Sequence, residues 1–102
     1  MAEKIKIGKA SDFITGSVKT VTAGGKKVAI ARVDDELFAV DDTCTHAECS
    51  LGTGFMENSV LVCPCHGSQF EISTGKVMSL PATIDLATYK IETEGDDVYL
   101  IV

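Results

Sequence analysis

The sequence predicts an all-β fold, in which an antiparallel β-sandwich or barrel carries a small inserted lobe. Three observations lead to this prediction. Apolar and polar residues alternate in short segments, which is the period of a half-buried strand. Glycine and aspartate pairs separate these segments at short intervals, and no long amphipathic helical pattern is present. Short strands joined by short turns indicate an antiparallel sheet and not a βαβ arrangement.

Four strands are predicted in the first part of the chain, at residues 4–8, 17–22, 26–33 and 37–40. Gly24-Gly25 is a hairpin signal between the second and the third of them. Residues 10–14 are ambiguous, and a helical turn capped by Ser11 is one interpretation. The acidic residues 34–36 turn the chain into the fourth strand.

Five further strands are predicted, at residues 55–58, 59–63, 69–73, 84–94 and 98–102. The first three belong to an inserted lobe over about residues 42–77, and the last two form a hairpin that completes the larger sheet. A chain of 102 residues has room for one domain with an adequate core, so we expect a single domain over residues 1–102.

Composition limits the class of protein. Hydrophobic residues make up 45% of the chain and charged residues 24%, as in globular proteins. The first residues lack the apolar region of a secretory signal, and the apolar runs of four or five residues fall far below the roughly 20 needed to cross a bilayer. We therefore expect a cytoplasmic protein with no membrane span. The net charge of −6 argues against nucleic acid as a partner, and it would suit a docking partner with basic patches.

Two segments carry the residues on which the chemistry depends. One is Cys44-Thr45-His46, and the other is Cys63-Pro64-Cys65-His66-Gly67-Ser68. Each brings a thiolate and an imidazole, with the spacing Cys-x-His in the first and Cys-x-x-His in the second. A soft sulfur paired with a borderline nitrogen in each of two loops is a metal-site arrangement.

In these two motifs, and from about residue 37 to the end, the chain resembles the Rieske iron–sulfur proteins. The resemblance implies a Rieske-like all-β fold whose small lobe binds a Rieske-type [2Fe–2S] cluster. It also implies that Cys44 and Cys63 hold one iron, and that His46 and His66 hold the other. Replacement of two thiolates by imidazoles raises the potential of such a cluster above the plant-type value.

A structural zinc module is the simpler alternative, because two cysteines and two histidines also form a closed tetrahedral zinc site. The usual zinc-finger arrangement pairs cysteine with cysteine and histidine with histidine. Here each loop mixes the two residue types. This mixture favours a two-iron cluster that both loops reach.

Two further cysteines, Cys49 and Cys65, also need a role. In the branch of the family with Cys-Thr-His-x-x-Cys and Cys-Pro-Cys-His-Gly, these positions form a disulfide between the loops. Oxygenase-type Rieske ferredoxins generally lack this pattern. Two buried free thiols remain an alternative, because disulfides are rare in intracellular proteins.

Four more residues are expected around the cluster by the same resemblance. Gly67 and Gly52 let the backbone approach closely or take a positive φ, whereas Gly54 is expected to be a simple turn glycine. Ser68 stands where high-potential members donate a hydroxyl to a bridging sulfide, and Phe70 stands where they have a donating tyrosine. An intermediate potential is therefore expected. Pro81 falls in the position of a loop that covers the cluster, or it breaks a strand at a sheet edge.

The resemblance implies a one-electron carrier and not an enzyme, because a fully ligated cluster has no open position for substrate. Its redox partners would be a reductase and a terminal acceptor such as an oxygenase, so that the chain would act as a monomeric ferredoxin component of a multicomponent oxidoreductase. The alternative is a small Rieske subunit of a nitrite-reductase-like or respiratory complex. His46 and His66 would form the docking point, and their titration would make the potential fall as the pH rises through alkaline values.

Overall fold

The computed structural model describes residues 3–44, 49–65, 67–80 and 83–101. The predictions made for His46, His66 and Pro81 therefore lie outside the described residues. The described chain forms two antiparallel sheets, as the sequence predicts. The larger one contains β1 (Lys4–Lys9), β2 (Val18–Ala23), β3 (Lys26–Val33), β4 (Glu36–Asp41), β9 (Thr88–Glu94) and β10 (Asp97–Ile101). The smaller one contains β5 (Phe55–Glu57), β6 (Val60–Val62), β7 (Gln69–Glu71) and β8 (Val77–Ser79).

The larger sheet has the strand order β1-β10-β9-β4-β3-β2. Strands β1 and β2, at its two ends, contact each other, so the sheet curls into a nearly closed barrel. The β2–β3 hairpin turns at Gly24 and Gly25, whose φ values of 59° and 78° are those of a two-residue hairpin turn. The hairpin predicted at these glycines is confirmed.

Strand β3 is buried on both faces, because it lies between the barrel interior and the lobe. Its larger side chains, Val28 and Ile30, belong to an apolar core inside the barrel. Its smaller ones, Ala29 and Ala31, belong to a second core that includes lobe residues. We call this second group the shared core, and it contains Ala29, Ala31, Val40, Cys44, Leu51, Leu61, Cys63, Phe70, Ile72 and Leu86.

The smaller sheet, with the order β5-β6-β7-β8, is the predicted lobe with one strand more than expected. Strand β8 has three residues and pairs with β7 across a bulge, where Gln69 faces Ser79 and Phe70 faces Val77. A strand this short gives little alternation to read in the sequence. Within the described ranges, the pairing extends the sheet to Ser79 and brings the chain back beside the end of β7.

One local prediction was wrong, and a second one, the helical turn after β1, is confirmed without its Ser11 cap. The strand expected over residues 84–94 begins only at Thr88, because Leu86 donates its N–H to the carbonyl of Gly75 in the lobe. The turn after β1 is a 3-10 turn, Ala10–Asp12, and Ser11 does not cap it. Instead, the main-chain N–H of Lys9 donates to the Asp12 carboxylate at 2.9 Å.

Candidate metal centre

The first candidate loop, residues 44–49, is closed by its own main chain. Cys44 donates its N–H to the carbonyl oxygen of Cys49 at 3.0 Å. Immediately outside this bond, Thr43 and Ser50 form an isolated antiparallel bridge. The two ends of the loop are therefore held side by side, and Cys44 lies at its base.

The second candidate loop, residues 63–68, is closed in the same way between β6 and β7. Cys63 donates its N–H to the carbonyl oxygen of Ser68 at 2.9 Å, and Gly67 donates to the carbonyl of Cys63 at 3.2 Å. Outside this bond, Val62 pairs with Gln69. Each loop thus begins with a cysteine whose N–H binds the residue five positions later.

Asp42 anchors the first loop to the barrel. Its side chain is buried, and its Oδ1 atom accepts hydrogen bonds from Thr20 Oγ1 and from the N–H of Gly52, both at 2.8 Å. Its carbonyl accepts from the N–H of Leu51 at 2.7 Å. Satisfied acceptors of this kind hold a buried carboxylate in place. The sequence analysis missed Asp42 and Thr20, because the two residues are 22 positions apart.

Gly54 packs the segment after the first loop against the second loop, so it is not the simple turn glycine that was predicted. A Cβ atom at this position would lie 2.2 Å from the carbonyl oxygen of Val62 and 3.1 Å from Cδ of Pro64. Since only a hydrogen fits in that space, the close approach of the two segments requires glycine here.

The four cysteines divide into a bonded pair and two buried residues. Cys49 and Cys65 form a disulfide that joins the two loops. Cys44 and Cys63 are not joined in a disulfide, and both are buried in the shared core. The sulfur atoms of Cys49, Cys63 and Cys65 all lie within 4.8 Å of one another.

Ser68 and Phe70 are both buried completely. The Ser68 side chain thus lies inside the protein, at the closing end of the second loop. Phe70 belongs to the shared core and faces Leu61 across the β6–β7 pair. A phenyl ring has no hydrogen-bond donor, so this position packs the lobe against the barrel and offers nothing to a sulfur atom.

The described part of the site fits the sulfur half of a mixed sulfur and nitrogen metal centre. A buried cysteine stands at the start of each of the two loops, and thiolates are the usual ligands of iron–sulfur clusters. The imidazoles of His46 and His66 are outside the described residues. In the described ranges, no helix is long and apolar enough to span a membrane.

Fold and site together define a small β protein in which two cysteine-bearing loops are joined by a disulfide. The chain matches the Rieske [2Fe-2S] domain over residues 3–90. It belongs to that family, which implies a Rieske-type [2Fe–2S] cluster, and its similarity to the ferredoxins described next identifies it as an electron carrier.

Relatives agree with this assignment. Ferredoxin CarAc of Metapseudomonas resinovorans is 36% identical over 97 residues, which cover 94% of this chain and 91% of that protein. The ferredoxin component of biphenyl 2,3-dioxygenase from Rhodococcus jostii (strain RHA1) is 37% identical over 93 residues, or 91% of this chain and 87% of that protein. The chain thus combines the disulfide pair with a similarity to dioxygenase ferredoxins.

A solved structure shows the same fold. A chain in the complex of reduced oxygenase and oxidized ferredoxin in carbazole 1,9a-dioxygenase matches with a TM-score of 0.90 and 36% identity. The match covers 95% of this chain and 91% of that one. The Rieske-like all-β architecture predicted from the sequence is therefore confirmed.

Proposed function

We propose that Cys44 and Cys63 hold one iron of the [2Fe–2S] cluster, and that His46 and His66 hold the other. The observation that carries this proposal is the equivalence of the two loops. Each is closed by a hydrogen bond from the N–H of a buried cysteine to the residue five positions later. Such a pair of loops presents two thiolates from one apolar environment, and the cluster supplies a centre that takes up and releases one electron.

The ligand set is tested by single substitutions in each loop. Cys44→Ser, Cys63→Ser, His46→Ala and His66→Ala are each expected to abolish the visible absorption and the paramagnetic signal of the reduced cluster. The matched control is the double variant Cys49→Ser/Cys65→Ser, which removes the disulfide and should keep the signal. A variant of a proposed ligand that keeps an unchanged signal would overturn the assignment. Stoichiometric zinc in the colourless purified protein would overturn the cluster itself.

We infer that the electron passes from a reductase to an oxygenase. The support is similarity to proteins named as ferredoxin components of dioxygenase systems, one of them for biphenyl 2,3-dioxygenase. A protein similar to this chain also occurs in a solved complex with an oxygenase. Reduction of the purified protein by the reductase of a dioxygenase system, followed by reoxidation on mixing with a dioxygenase of this type, tests the route. A protein that no such reductase can reduce would contradict it.

In the described residues, the surface around the two loops supports docking through apolar contacts. No described residue in 43–44, 49–54, 63–65, 67–70 or 77–80 carries a charge. Gln69 donates its N–H to Ser79 Oγ at 3.1 Å, so the end of β8 lies beside the second loop. The next residue, Leu80, leaves 75% of its surface exposed. Small, transient interfaces are typical of redox partners. An exposed leucine adds apolar contact area to such an interface, and the affinity that it contributes does not depend on the salt concentration, because no charge is involved.

Leu80→Ser is therefore expected to slow electron transfer to the oxygenase, with little change in the dependence of the rate on ionic strength. Ile14→Ser is the matched control. Ile14 is also an exposed apolar residue, 72% accessible, but its neighbour Thr15 lines a cavity with Ser59 at the opposite end of the lobe. Equal rates for Leu80→Ser and the parent protein would contradict apolar docking at this end.

A single domain over residues 1–102, a cytoplasmic location and a monomeric state remain predictions. Unfolding in one cooperative transition, cell fractionation and size-exclusion chromatography would test them in turn.

A further inference from the structure

Three sulfur atoms, one from the first loop and two from the second, lie together. Those of Cys49, Cys63 and Cys65 are all within 4.8 Å of one another. Two of them form the disulfide, and Cys63 is the thiol beside it. A thiolate that can reach a disulfide sulfur attacks it, and the disulfide is passed on through the new bond. The reactants of such an exchange are therefore already gathered within one chain.

We propose that these three sulfurs form a thiol–disulfide exchange site in the protein before its cluster is inserted. The Cys63 thiolate attacks the sulfur of Cys49, a Cys49–Cys63 bond forms, and the Cys49–Cys65 bond breaks. The electron pair of the broken bond goes to the sulfur of Cys65, which takes up a proton in place of the one that Cys63 lost to solvent. One disulfide and one thiol are present before and after the step, so it needs no oxidant or reductant.

The geometry favours attack on Cys49 over attack on Cys65. A bond between Cys63 and Cys65 would close a ring over Pro64 alone, and the fixed φ of proline restricts how far that segment can bend. The departing sulfur also differs between the two routes. Cys65 is exposed, whereas Cys49 is partly buried. A charged thiolate is less costly in water than in the protein interior, so Cys65 is the better leaving group.

The exchange has a consequence for cluster loading, and this consequence rests on the proposed ligand set. In the Cys49–Cys63 isomer, Cys63 is no longer a thiolate and cannot bind iron. Cluster insertion and exchange therefore compete for the same sulfur atom. Once Cys63 is bound to iron, the native disulfide has no thiol beside it and persists.

The Cys44→Ser variant tests the exchange directly, because it keeps all three sulfurs and leaves one thiol in each molecule. The full-length variant is incubated without oxygen or reductant, alkylated in denaturant so that the buried Cys63 is reached, and analysed by tandem mass spectrometry. All four cysteine positions fall in the single tryptic peptide 33–76, since no lysine or arginine lies between Arg32 and Lys76. The label must therefore be located by fragmentation.

We expect the label to shift from Cys63 to Cys65 with time. The control is Cys63→Ser, whose remaining thiol is Cys44; in this variant Cys65 should stay unlabelled. A label that stays on Cys63 throughout the incubation overturns the exchange. A label that appears on Cys49 overturns the preferred direction of attack.

A second readout separates this inference from the proposed function. Cluster-free protein with all four cysteines is incubated for increasing times and then supplied with ferrous iron and sulfide. The fraction that regains the visible spectrum should fall as the label on Cys65 rises, and a thiol reductant should restore it. If the label shifts while loading is unaffected, the exchange stands and Cys63 is not a required ligand. If the label does not shift, the exchange fails whatever the loading shows.

Discussion

Thr20 Oγ1 donates a hydrogen bond of 2.8 Å to Oδ1 of Asp42, and this contact joins the first loop to strand β2 of the barrel. The two residues are 22 positions apart, and Asp42 lies two residues before Cys44. The proposed ligand is therefore positioned by a residue of the barrel and not only by its own loop.

Thr20→Val is expected to lower the free energy of unfolding by about 1–3 kcal/mol, because a buried carboxylate loses one of its donors. Urea unfolding measures the change. Thr22→Val is the control, since Thr22 is exposed on the same strand, and such surface changes usually stay within about 0.5 kcal/mol. Equal stabilities of the two variants would show that the contact contributes nothing.

Gly54→Ala is expected to cost about 1–3 kcal/mol of stability through crowding, and to shorten the lifetime of the bound cluster. The reason is that the new Cβ would push against the carbonyl of Val62, next to Cys63. Bleaching of the visible absorption at constant temperature measures that lifetime. Gly25→Ala is the control, because Gly25 has a positive φ of 78° but no other atom of the described residues lies within 4 Å of the added Cβ. The Gly25→Ala variant should have a lower free energy of unfolding, but its cluster should bleach at the same rate as that of the parent protein.

Ser68→Ala is expected to lower the reduction potential. The Ser68 hydroxyl is buried, and a hydroxyl donating to a cluster sulfur stabilises the more negative, reduced state. A decrease of the reduction potential on the order of 60 mV corresponds to a tenfold change in the one-electron equilibrium constant. A redox titration followed by the paramagnetic signal measures it. Ser73→Ala, at an exposed serine that binds Glu71, should leave the potential unchanged.

The potential is also expected to depend on pH if His46 and His66 are iron ligands. Oxidised iron lowers the pKa of a bound imidazole more than reduced iron does. Between the two pKa values reduction takes up a proton, so the potential falls as the pH rises, by about 59 mV per unit for one proton and one electron. Voltammetry from neutral to alkaline pH provides the test. A flat profile up to the alkaline limit of stability would exclude exposed imidazole ligation.

The sequence predicts the local parts of this fold well. Strand alternation and the Gly24-Gly25 pair identify the β2–β3 hairpin, because adjacent strands and their turn are encoded within a few residues. The pairing of β4 with β9 is not readable in this way, since it joins segments nearly 50 residues apart through Ala39–Tyr89 and Val40–Thr88. Residues 84–87 alternate like a strand, yet Asp85 accepts a hydrogen bond from Val77 of the lobe instead.

The residues of the candidate site also fall into a group that the sequence predicts and a group that it does not. The four ligand positions and the disulfide pair are expected from the resemblance to the Rieske proteins, because each of the family's motifs is contiguous in the sequence. The supports of the site come from elsewhere in the chain. Asp42 depends on Thr20, and Gly54 depends on the carbonyl of Val62. Neither dependence leaves a pattern in the sequence, since the partners meet only once the sheets have packed.

Strand β3 presents Ala29 and Ala31 to the lobe, and these two alanines share one core with Cys44 and Cys63. The hydrophobic core of the lobe, as far as the described residues show, is therefore completed by side chains of the barrel. A transplant of its loops onto an unrelated scaffold would also need a strand with small side chains at matching positions. Without such a strand, both proposed thiolate ligands would be exposed to water.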